Sequence, residues 1–187
     1  IPAHDGLGAT TSLGLDGSPA VADADGVMLA LTDNGAPAVI AAGVNINALD
    51  APRNITATAG GTAGDIKAIQ VTIDGKDSEG NTIQEVLPAF TVDTAGIVTG
   101  AKIFKEVTQI TIPAHDGLGA NTAIGFGSKL GIDKRLARNS VYAAYLNNVR
   151  EGTAPTVTVS ASALESNGAT LNSALNATPV RLDYTEA

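Results

Sequence analysis

His4-Asp5 and His115-Asp116 are the pairs in this chain best suited to chemistry, since an imidazole beside a carboxylate can bind a metal or move a proton. They hold the only two histidines. A metal centre would need two or three further ligands converging on each pair, and no His/Glu cluster stands at a usable spacing. The turn chemistry of Asp-Gly explains the residues more simply. Asp and Gly close a tight turn, and the His side chain covers its edge or meets a neighbouring subunit. No metal, cofactor or catalytic residue is expected from these pairs.

Other patterns fail on register. Asp74, Asp77 and Glu79 lie near Gly80 as in a calcium loop. With Gly80 at loop position six, Gly75 falls at position one and Val86 at position twelve, where carboxylates are required. A solvated hairpin tip is the expectation, with a weak adventitious Ca²⁺ site as the alternative. No Gly-x-Ser-x-Gly elbow is present. Gly125-Phe126-Gly127 lacks the third glycine of a dinucleotide loop, and Gly60 to Gly64 lacks the Gly-Lys-Ser/Thr ending of a phosphate loop. Nothing in the spacing selects a carboxylate pair for hydrolysis. The chain is read as a non-enzyme.

Lys129, Lys134, Arg135 and Arg138 form the one basic cluster in a chain of net charge −8 and pI about 4.5. Either they solvate a surface connection, or they form a docking patch for an acidic protein surface. Nucleic acid is not an expected partner, because no aromatic platform is interleaved with these cations and the chain as a whole is acidic. A membrane is not expected either: the uncharged stretch from Asn34 to Asn47 is short and broken by Gly35, Pro37 and Gly43. With no cysteine, disulfides and thiolate sites are impossible.

The elements that must carry these residues are organised around a duplication. Ile1 to Gly14 and Ile112 to Gly125 match at 11 of 14 positions, 111 residues apart. They represent two related β-units or one segment placed in two settings. The chain has no initiator Met and opens inside this repeat, so Ile1 is read as the start of a processed or incomplete chain; it lacks the regions of a signal peptide.

Asp16-Gly17, Asp25-Gly26 and Asn34-Gly35 are turn dipeptides separating strand-length apolar runs, Val27 to Leu31 and Ala38 to Val44, the Ala-rich second of which reads either as a strand or as a helical turn. Ile69, Val71 and Ile73 alternate with polar residues, as in a half-buried strand. The turn-rich Asp74 to Asn81 then leads to a strand over Thr82 to Leu87, a hairpin signature. His115 to Gly119 is read as the turn of another hairpin, completed by Thr122 to Phe126. Gly131 to Asn139, ahead of the apolar Val141 to Leu146, is read as a surface connection or one helical turn; Thr156 to Val159 and Val180 to Tyr184 are further strands, and Ser162 to Leu175 is ambiguous. Aromatics are only 3% of residues, so the core must be built from Ala, Val, Ile and Leu.

These short strands predict an all-β fold, an antiparallel sandwich or barrel-like domain with little helix. Pro52 marks a boundary between an Ala/Gly-rich β segment, 1–50, and a main β-sandwich domain, 51–187, unless the two form one continuous domain.

Ala51 to Thr56, Val71 to Glu85, Val98 to Phe104 and the Ile112 to Gly127 segment resemble a family of small structural virion proteins of tailed bacteriophages, over about three quarters of the chain. The resembling features are strand-and-turn patterns. The resemblance implies a virion component, located in the particle after assembly in the host cytoplasm, and supplies no catalytic residue. Within that class the expected role is a capsid decoration or cement protein. It would be a homo-oligomer bound to the major capsid protein or other virion proteins through His4, Asp5, His115, Asp116, Lys129, Lys134, Arg135 and Arg138. A tail, head–tail connector or fibre component is the nearest alternative. A carbohydrate-binding adhesion module is a further one, disfavoured by a total of three Phe and three Tyr.

Overall fold

Turn residues cut the chain into strands too short to bury a face alone, so its stability comes from pairing and stacking them. The computed structural model describes residues 10–15 and 17–185. Its strands are β1 (Thr10–Gly14), β2 (Asp23–Thr32), β3 (Ala38–Ala41), β4 (Arg53–Gly61), β5 (Thr72–Lys76), β6 (Thr82–Val86) and β7 (Gly96–Phe104). They continue as β8 (Glu106–Ile112), β9 (Ala120–Gly131), β10 (Val141–Leu146), β11 (Val149–Arg150), β12 (Thr156–Thr158), β13 (Gly168–Thr170) and β14 (Val180–Thr185). The only helical elements among the described residues are two single 3-10 turns, Ala63–Asp65 and Leu164–Ser166. The protein is all-β, and every pair among the described strands is antiparallel.

Three sheets form. One runs β12-β13-β9-β4-β7, with β2 added beside β9; the second runs β3-β8-β5-β6; the third runs β1-β14-β10-β11. The first core joins the first two sheets through Val27, Ile55, Ile73, Phe104, Ile110 and Ile124. The second packs Leu130, Ala169, Leu171, Val180 and Leu182 beneath the third sheet. Strand β9 serves both, with Ile124 and Phe126 in the first core and Leu130 in the second. Strands from 10–50 and from 51–185 share these cores: Val27 and Met28 of β2 pack with β4 and β9, and β3 pairs with β8.

The alternating residues Ile69, Val71 and Ile73 are all buried, and the hairpin tip falls between β5 and β6 as its turn residues predict. Two expectations are corrected. Ala38 to Val44 is strand only to Ala41, because Gly43 and Asn45 adopt positive φ and turn the chain. The segment around His115 does not close a hairpin. Strand β8 pairs with β3 and β5, whereas β9 pairs with β2, β4 and β13, so the turn carries the chain from one sheet to the other. Asp-Gly chemistry fits both kinds of turn, and contacts distant in sequence decide between them.

At the centre, β9 is covered on both faces, and Gly125 lets β2 approach it. A Cβ at Gly125 would lie 2.0 Å from the Asp23 carbonyl oxygen. Residues 24–27 of β2 bulge there, between the pairs Asp23–Phe126 and Met28–Ile124.

Candidate functional site

The His115 turn is held from outside itself. Its backbone N–H donates to Asp33 Oδ2 at 2.6 Å, and the Asp116 N–H donates to the Asp65 carbonyl at 3.2 Å. The Gly119 N–H donates to Asp65 Oδ2 at 2.9 Å, while its carbonyl accepts from the Thr62 N–H at 2.8 Å. Asp33 follows β2 and Asp65 ends the first 3-10 turn, so the crossing is pinned to two connections far away in sequence.

The imidazole points inward, which corrects the expectation of a ring covering the edge or meeting a neighbour. It is 7% exposed and stacks on Phe90 with ring centroids 6.0 Å apart. Nδ1 accepts from the Lys67 N–H at 3.2 Å, which leaves Nε2–H to donate to Thr122 Oγ1 at 3.0 Å. Burial holds the ring's pKa below its ordinary 6.5, against the opposing pull of Asp33. This is a structural histidine. The Asp116 side chain faces solvent in an exposed ion pair with Lys67, 3.4 Å long. His4 and Asp5 lie outside the described residues.

The basic residues do not share one surface. Lys129 lies on β9, where Nζ donates to the Ala101 carbonyl at 2.8 Å. Burial lowers its pKa, with the nearby Glu85 opposing. The other three gather. Lys134, Arg135 and Arg138 line an open groove of about 560 Å³, walled also by Leu136 and Tyr184. Lys134 Nζ sits 5.6 Å from the Tyr184 ring centroid. Arg135 forks onto Glu79 with contacts of 2.5 and 2.6 Å, tying the groove to the β5–β6 tip; this pairing holds the Glu79 carboxyl below its usual range. Arg138 is exposed and is in no ion pair among the described residues.

The calcium-like loop is closed by its own hydrogen bonds. Asp77, 4% exposed, accepts from the backbone N–H groups of Glu79 and Asn81, both at 2.9 Å, and from the Asn81 amide at 3.0 Å. Among the described residues, no group of three or more His, Asp or Glu is placed to hold a metal ion.

Two features were missed from sequence. Arg53 is fully buried and donates to the Gly127 and Ala20 carbonyls and to Asp50. Its signal was the acidic residue three positions earlier, just ahead of a strand. The other is the outer edge of β2, which carries Asp23 and Asp25 and then Leu29 and Leu31, all exposed. An uninterrupted absence of Lys and Arg before Arg53 was its signal. Comparison with protein-family models, curated proteins and solved structures finds no match to this chain.

Proposed function

We propose that this protein is a structural component of a tailed-bacteriophage virion, a decoration or cement protein that coats the capsid through protein–protein contacts. The observation that carries the reading is the groove of Lys134, Arg135 and Arg138, an open cationic surface on a chain of net charge −8. Such a surface selects an acidic protein face, and complementary charge governs both the rate and the orientation of docking. The sequence resemblance to virion proteins supports the same assignment.

Sedimentation with phage heads lacking any bound copy tests it. The wild-type chain should co-sediment at a fixed number of copies per head. K134E/R138E should bind at least about tenfold more weakly, with unfolding curves unchanged. Undiminished binding by that variant would overturn the role of the groove. Rings or tubes that ignore heads would assign the chain to the tail or connector.

A further inference from the structure

Residues 1–52 contain no Lys or Arg, but six aspartates: Asp5, Asp16, Asp23, Asp25, Asp33 and Asp50. The chain is therefore charged asymmetrically, with the cationic groove on one surface and an uncompensated acidic strand on another. Asp23 and Asp25 are both exposed at the start of β2, two residues apart, with Asp23 Oδ1 accepting the Asp25 N–H at 3.2 Å. Neither is in an ion pair among the described residues.

The strand that carries them is an edge. Strand β2 pairs with β9 and with no other described strand. Leu29 and Leu31 are 71% and 41% exposed further along it, beside a hollow of about 300 Å³ that Ile40 also lines. A long edge strand with exposed leucines is a surface that soluble proteins ordinarily blunt with lysine or cover. Here it carries no lysine.

We propose that the groove of Lys134, Arg135 and Arg138 receives the acidic start of β2, Asp23 to Gly26, from a second copy of the chain. This rests on the reading of the groove as a protein-docking surface and names what docks there. Charge complementarity identifies the occupant: Arg135 is held by Glu79, but the groove presents Arg138, in no ion pair among the described residues, beside Lys134, and the β2 edge presents two carboxylates that are in no ion pair among the described residues. Asp23 also raises the pKa of the Asp25 carboxyl, first through a side-chain hydrogen bond and to a smaller degree through its charge. In that contact Lys134 and Arg138 of the receiving copy would face these carboxylates, with the part-exposed Leu136 beside them. The two patches differ, so the contact is head-to-tail and extends into a ring or an open array.

Charge exchange tests this without heads, by sedimentation velocity with unfolding curves as a check on the fold. The wild type should self-associate, and more weakly as salt is raised. D23K/D25K alone and K134E/R138E alone should each associate at least about tenfold more weakly. Mixing the two variants should restore association, because each supplies the complement of the other. A chain carrying all four changes should also self-associate. A wild type that stays monomeric, a D23K/D25K chain that associates normally, or a failure of the mixture to associate would overturn the proposal. If exchange fails while K134E/R138E still loses head binding, the docking role of the groove survives and only its occupant is wrong. If K134E/R138E changes neither, both fall.

Discussion

The guanidinium carbon of Arg53 lies 4.2 Å from the centroid of the Phe126 ring, joining the first residue of β4 to the middle of β9. The side chain is fully buried, yet its charge is met on every side. Nε donates to the Gly127 carbonyl at 3.0 Å, Nη2 to the Ala20 carbonyl at 3.0 Å, and Nη1 to Asp50 at 2.8 Å. One side chain thereby fastens β4, β9 and the connection ahead of β4.

Arg53→Met keeps much of the volume and removes every one of these bonds. It takes the Arg53 donor from the Gly127 and Ala20 carbonyls and leaves Asp50 with the Ala20 N–H alone, and should cost about 3 kcal/mol in urea unfolding. Arg53→Lys keeps the charge but loses the planar fork and should fall between the two. A loss near zero for Met would mean that packing on Phe126 is the whole contribution.

How much of this was legible follows from the range of each interaction. The all-β class came from local signals: turn dipeptides, the alternation of Ile69, Val71 and Ile73, and the polar tip before Thr82. Those signals report the geometry of a few adjacent residues, which is what they share with the folded chain. The crossing at His115 was not legible, since Asp33, Asp65, Thr62 and Lys67 decide it from 48 to 82 residues away. The basic stretch was legible only as a list. Lys129 lies on a strand and reaches the Ala101 carbonyl, while the three later cations bend round a groove, and sequence adjacency does not separate the two.

His115 gives the fold a dependence on pH whose sign is fixed by burial. The folded ring has a pKa below the ordinary 6.5, so on acidification the unfolded chain takes up its proton first. The stability this group contributes is complete above 6.5 and is lost as pH falls from there through the folded pKa. The urea midpoint of the wild type should therefore be lower at about pH 5 than at about pH 7.5. His115→Gln should shrink that difference, with His4 present in both chains as an internal control. An equal difference in the two proteins would remove His115 as its source.

The duplicated segment offers a comparison of one substitution in two places. Gly14 and Gly125 are equivalent positions of the repeat, but among the described strands β1 pairs with β14 alone, whereas β9 is paired along both edges. A Cβ at Gly14 meets nothing within 4 Å; at Gly125 it lies 2.0 Å from the Asp23 carbonyl and 2.5 Å from the Ala24 carbonyl carbon. Those neighbours are backbone and cannot rotate away, so β2 must separate from β9 to admit a methyl group. Gly125→Ala should cost about 3 kcal/mol. Gly14→Ala should change stability by less than about 0.5 kcal/mol, and restricting the unfolded chain could make that change favourable. Chemical denaturation of the two single variants decides it. Equal losses would mean that the two copies sit in equivalent environments. A large loss confined to Gly125 would mean that the same residues were placed in two settings, one closed on both edges and one open.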